Sequence, residues 1–266
     1  LLQKHKSKMT KMRSIAFINQ KGGVGKTTST ANVGACLASF GKKVLLIDLD
    51  PQANLSIHFG INVQGKDLSV YEIMSGKKTV SEVLTKTNIS GLDIIPSDID
   101  LASAEVELVN TVGRETILKF NLEGMLGAYD YVLIDCPPSL GLLTLNALTV
   151  ANEIFVPLQT EFFALQGVSK LIQTFDVIKK RLNSKLEITG IIPCMYDSRT
   201  KLGQAVLDKI KEYFADKVFT TTVRKNIKLS ESTSHGMPIT VYAPDSNGAQ
   251  DYEALTKEII AQENKK

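Results

Sequence analysis

The stretch Gln20-Lys21-Gly22-Gly23-Val24-Gly25-Lys26-Thr27-Thr28 sets two lysines, three glycines and two hydroxyls side by side. That mixture suits a triphosphate and its metal. Glycines let the backbone curl until successive N–H groups converge on phosphate oxygens. A helix starting directly after them adds its partial positive charge. Lys26 is placed to reach the β- and γ-phosphates and the Thr27 hydroxyl to hold Mg²⁺, with Lys21, Gly22, Gly23, Val24, Gly25 and Thr28 completing the cradle. Two further sets of carboxylates carry chemistry. Asp48 and Asp50 follow one apolar run and Asp135 ends another. Acids just past the C-terminal ends of parallel strands lie on the edge where open α/β sheets bind ligands.

These groups can act together only if strands and helices bring them to one edge. Ile15-Ala16-Phe17-Ile18 reads as a buried strand leading into the glycine loop, and about Thr28 to Phe40 as the helix that follows. Lys43 to Ile47 is a second buried strand; Gly41 turns into it and Pro51 ends its loop. Residues 53–90 hold short helices over Leu68–Met74 and Val80–Leu84. Leu92–Ser97 is a short strand, and Leu101–Leu108 and Glu115–Leu126 are helical. Tyr131-Val132-Leu133-Ile134-Asp135 has the form of a Walker B strand, whose terminal carboxylate serves Mg²⁺ through water. Glu153–Leu158 and Ile188–Pro193 are further strands, and Phe162, Phe163 and Leu165 between them read as core packing. Strands alternating with helices over residues 14–260, without repeats or linkers, predict one mostly parallel twisted sheet covered by helices on both faces: a single α/β P-loop NTPase domain over 14–266.

Composition narrows the classes further. The 266 residues are 43% hydrophobic, enough for a full core, and carry a net charge of +3. Lys4, Lys6, Lys8, Lys11 and Arg13 make residues 1–13 a basic arm of +5, so the body is net −2 and any nucleic-acid surface on it must be a local patch. One such patch is available: residues 197–228 hold eight Lys/Arg against four acids. Arg199, Lys201, Arg224, Lys225 and Lys228 are its candidate DNA contacts, which would give salt-sensitive, sequence-blind affinity. The cysteines Cys36, Cys136 and Cys194 lack metal-ligand spacing and read as buried and reduced. His58 and His235 have no paired motif and read as structural. No stretch approaches the roughly 18 apolar residues of a membrane span, and a run of four is too short for a secretory leader. A soluble, cytoplasmic protein is expected.

Gln20 stands where the common P-loop pattern has its first glycine, and Lys21 follows it. This Lys-Gly-Gly-x-x-Gly-Lys-Thr form resembles the deviant Walker A motif of the ParA/MinD family, and residues 224–238 resemble the signature of its ParA/Soj-type chromosome or plasmid partitioning ATPases. The likeness covers nearly all of 14–260 and is most specific at 19–28, 48–52, 131–138 and 224–238. It implies a weak, Mg²⁺-dependent ATPase. In it Lys21 reaches the nucleotide of a partner subunit, Asp50 orients the attacking water, Asp48 lies near the metal, and Pro193 and Met195 lie near the adenine. It further implies an ATP-dependent homodimer on non-specific double-stranded DNA, nucleoid-associated in that state. A ParB-like centromere-binding protein would release it by stimulating hydrolysis. The alternative within the family is a MinD-like ATPase on a membrane. Tyr252, Leu255 and Ile259 make an apolar stripe near the C-terminus, but residues 250–266 are net −1, a poor match for anionic lipid. That helix is expected to pack on the body, and no membrane partner is expected. A ligase or kinase acting on a small metabolite would need a substrate pocket for which the sequence offers no residues.

Overall fold

The computed structural model describes residues 12–160 and 164–265. Most of the basic arm, Phe162, Phe163 and the side chain of Leu165 lie outside the described residues. Eight strands form one sheet: β1 Arg13–Phe17, β2 Val44–Asp48, β3 Thr85–Lys86, β4 Leu92–Ile95, β5 Tyr131–Asp135, β6 Glu153–Gln159, β7 Glu187–Tyr196 and β8 Val223–Arg224. Their order is β3-β4-β2-β5-β1-β6-β7-β8. Every pairing is parallel except β3 with β4. The sequence reading did not include the two-residue antiparallel edge strand, which is too short to show a period.

Period-two alternation along buried strands divides the core between two faces. Ile15 and Phe17 face one side with Leu46, Leu133 and Phe155, where helix α1 (Lys26–Ser39) and the helix Asn247–Ala261 cover them. Ala16 and Ile18 face the other side with Leu45, Ile47, Val132 and Ile134, under the helices Val70–Met74, Leu101–Glu107, Leu142–Val150 and Lys201–Phe214. On the first face α1 lies close to the sheet at Gly34, where an added Cβ would stand 2.8 Å from a Leu46 methyl.

Two boundaries differ from the sequence reading. Arg13 is no part of a basic arm: it opens β1, is buried, and makes two 2.7 Å bonds to the Glu153 carboxylate on β6 and a third to the Ile259 carbonyl. A charge at the start of an apolar strand is legible; the acid that neutralises it 140 residues later is not. The expected helix Glu115–Leu126 is broken into a 3₁₀ turn Arg114–Thr116, a helix Ile117–Leu122 and a second 3₁₀ turn Leu126–Ala128, with Gly124 at φ 90° interrupting it. The C-terminal stripe packs as expected: Tyr252, Leu255 and Ile259 are buried with Ala31, Val33 and Leu37 of α1. Among the described residues no helix is long and apolar enough to cross a membrane.

Candidate functional site

β1 lies between β5 and β6, and the chain leaves it on one side to build β2, later returning on the other. Such a reversal opens a crevice at the C-terminal ends of the strands. The loop 19–25 runs into this crevice from β1. Gly23 and Gly25 take left-handed φ of 71° and 95°, and Gly25 forms the start of α1, whose first residue is Lys26. An added Cβ at Gly22 or Gly23 would meet nothing within 4 Å, so the backbone there faces open space. Lys26 is buried, with its ammonium folded back toward the Lys21 carbonyl at 3.4 Å. A cation this enclosed, beside undecorated backbone N–H groups, suits an anion.

The carboxylates arrive from the neighbouring strands. Asp48 and Asp135 are register partners on β2 and β5, both wholly buried. Thr27 Oγ1 donates to Asp135 Oδ2 at 2.6 Å, and Thr30 Oγ1 lies 3.4 Å from Asp135 Oδ1. Burial pushes the Asp135 carboxyl above the usual range, and the neighbouring Asp48 charge adds to this. Burial also raises Asp48, against the pull of its hydrogen bonds. Asp48 accepts from the Ser56 amide at 2.9 Å, the Ser56 hydroxyl at 2.8 Å and the Asp50 amide at 3.2 Å. Expected near the metal, it holds the loop 50–56 to the sheet in this structure. Asp50 reaches the crevice instead, with its own oxygen capping the Gln52 amide at 3.0 Å.

A cavity of about 420 Å³ joins these parts, lined by Gly22, Gly23, Gly25, Lys26, Thr27 and Thr28 from the loop and by Asp50 and Met195 from the sheet edge. A second cavity of about 570 Å³ opens from Gly25 and Thr28 toward Cys194, Met195, Val223 and Tyr252. Its apolar lining beside the phosphate loop has the character of a base pocket. Met195 lines both cavities; Pro193 is buried within β7 and lines neither. Among the described residues Met195 is one of four non-glycine residues with positive φ, at 53°, an unfavourable backbone conformation held in the lining of both cavities. Lys21 stands outside the cavity lining, exposed at the mouth of the loop.

The basic patch is less uniform than its charge count. Arg224 is clamped to Asp251 through bonds of 2.6 and 3.0 Å and lines the second cavity with Lys225. Arg199 pairs with Asp197 at 2.7 Å, and Lys228 with Glu231 at 2.7 Å. Lys201 and Lys225 are exposed.

Two site residues, and one beside the site, escape motif reading. Asn19 accepts from the Lys21 amide at 3.0 Å and donates to the Pro157 carbonyl at 2.7 Å, fixing the loop entry to β6. Thr233 bonds His58 at 3.1 Å, and both line the first cavity. Gln159 ends β6 beside the loop. For Asn19 and Gln159 the available signal was a polar residue closing an apolar strand.

A glycine loop between a central parallel strand and a helix, with a hydroxyl bonded to a buried carboxylate beneath it, defines a P-loop nucleotide-binding protein. A family model described as an AAA domain matches residues 12–188. The sporulation initiation inhibitor protein Soj of Bacillus subtilis is 49% identical over 93% of this chain and 98% of its own. The chromosome partitioning protein ParA of Caulobacter vibrioides is 44% identical over 95% of each. A Mycobacterium smegmatis structure titled cobyrinic acid a,c-diamide synthase, with bound ATP analogue and magnesium, superposes with a TM-score of 0.84 at 36% identity over 94% of both chains. The chain belongs to the Soj/ParA family of chromosome-partitioning ATPases.

Proposed function

We propose that this chain is a Mg²⁺-dependent, slow ATPase that pairs on ATP, holds duplex DNA without sequence preference while paired, and lets go on hydrolysis. The cavity shared by the phosphate loop and Asp50 is the observation that carries this reading. Thr27 and Asp135 are an all-oxygen donor set suited to Mg²⁺. Bound there, the ion would draw charge from the phosphate oxygens. Lys26 and the loop amides bind the phosphates, and Asp50 orients water at the open side. Asp48 keeps Asp50 in place through its backbone.

From the mouth of the loop Lys21 would serve a nucleotide across a two-fold axis, making ATP the link between two copies and hydrolysis the release step. Exposed lysines along 197–228 supply phosphate contacts that pairing would double. A ParB-like partner would set the rate of release. The protein would then be cytoplasmic, moving on and off the nucleoid. A membrane role is disfavoured because the C-terminal apolar stripe is spent on α1.

Gel shift on random-sequence duplex with ATP, ADP or no nucleotide, at low and moderate salt, tests the reading, with Lys21→Ala and anionic liposomes alongside. Binding with ATP alone, lost in Lys21→Ala, is expected. Sedimentation with liposomes and no DNA shift would replace this reading by the membrane one. Retention on neither would point to a small-molecule substrate.

A further inference from the structure

Gln159 touches three parts of the site with one amide. It is 9% exposed, at the end of the strand beside β1. Its Oε1 accepts from the Lys21 ammonium at 2.6 Å. Its Nε2 lies 3.2 Å from the Gly23 carbonyl oxygen and 3.0 Å from the Met195 sulfur. Oxygen faces the cation while nitrogen faces a carbonyl and a thioether; turned over, the amide would set its NH₂ against the ammonium. The contact therefore has a direction.

We infer that Gln159 is a positioning residue that keeps Lys21 on its own chain and so sets the threshold at which two copies pair. This rests on the reading that Lys21 serves a nucleotide across the two-fold axis. Lys21 cannot bond its own Gln159 and reach across an interface with the same geometry, so pairing must give up the 2.6 Å contact. A neutral amide is a graded choice of acceptor. Its bond to an ammonium is worth far less than that of a multiply charged phosphate, so a triphosphate can draw the lysine away. A carboxylate at the same place would hold the ammonium by charge as well. An apolar side chain would remove this bond. The bond to Gly23 ties the same amide to the phosphate loop, so a support role must be separated from the holding role.

The opposite effects of two substitutions separate them. ATP-dependent pairing is measured by sedimentation over a concentration series for the full chain, Gln159→Ala and Gln159→Glu, with ADP affinity of the unpaired chain as the control. Gln159→Ala is expected to pair at roughly fivefold lower concentration and Gln159→Glu at roughly fivefold higher, the scale of one modest hydrogen bond or exposed ion pair. ADP affinity should stay within about twofold of the unsubstituted chain on the same scale. Weakened pairing in both variants, or ADP affinity falling in step with pairing, would reduce Gln159 to a loop support and overturn the inference. Lys21→Ala is run in parallel. If it pairs as well as the unsubstituted chain, the pairing reading itself fails, whatever the Gln159 variants do.

Discussion

Thr27 and Asp135 are 108 residues apart and share a 2.6 Å hydrogen bond between the start of α1 and the end of β5. The hydroxyl is the donor, and the carboxylate is buried where its charge is expensive. A divalent cation between the two would offset that cost, which is why the pair suits Mg²⁺. Thr27→Val keeps the shape and removes the oxygen. Hydrolysis should fall about 10–100-fold, the loss typical of weakened metal binding. Mg·ATP affinity should drop more than affinity for ATP measured with a chelator present. Equal losses with and without the metal would mean that Thr27 serves the phosphates rather than the ion.

Arg13 and Glu153 form the buried pair that joins the first strand to its neighbour, and Thr189 adds a 2.7 Å bond to the same carboxylate. Removing Arg13 takes two hydrogen bonds and the facing charge from a buried carboxylate. Arg13→Ala should therefore cost about 3–5 kcal/mol in urea unfolding. A loss below 1 kcal/mol would show that water reaches Glu153 in the variant.

His58 titrates in a direction that can be read from stability. Burial lowers its pKa to about 4, against about 6.5 in an unfolded chain. The unfolded state therefore binds the proton first. Its stabilising contribution is complete above about 6.5 and is lost as pH falls toward 4, reaching about 3 kcal/mol. Asp48 and Asp135, with raised carboxyls, act oppositely over the same window. The test is accordingly the difference in urea midpoint between the unsubstituted chain and His58→Leu at several pH values. A difference independent of pH from 7 to 4 would contradict a buried neutral imidazole.

The basic patch divides into groups with different expected outcomes. Lys201→Ala and Lys225→Ala, at exposed positions, should each lower the slope of log affinity against log salt by about 1 while leaving the fold intact. Arg224→Ala breaks the clamp to Asp251 and should show first in thermal unfolding. A large loss of salt slope at Arg224 with unchanged melting would place it on the DNA instead.

The local elements were legible because each carries its own signal. Strand, glycine turn and helix at 13–39 follow from an apolar run, glycine freedom and the helix that starts after them. Asp135 was legible from the strand it ends. The dependence of Asp50 on Asp48 was not, because Ser56 lies eight residues on and serves Asp48 only after the loop turns back to the sheet. Nor was the clamp on Arg224: counting charge over 197–228 treats every cation as available, and only contact with Asp251 removes one.

What depends on neighbours along the chain could be read from the residues alone: the phosphate loop, the buried strands, the acids at their ends and the family they belong to. Pairings across the fold were left to the tertiary structure. It decided that Arg13 belongs to the sheet, that Asp48 holds a loop, that Met195 rather than Pro193 reaches the cavities, and that Lys21 rests on Gln159. The physical reason is the same in each case. A side chain's charge and reach belong to its residue type. The partner that sets its role is chosen by how the chain folds: strand order brings Glu153 to Arg13 and Gln159 to Lys21 from more than a hundred residues away, and a loop turned back to the sheet brings Ser56 to Asp48.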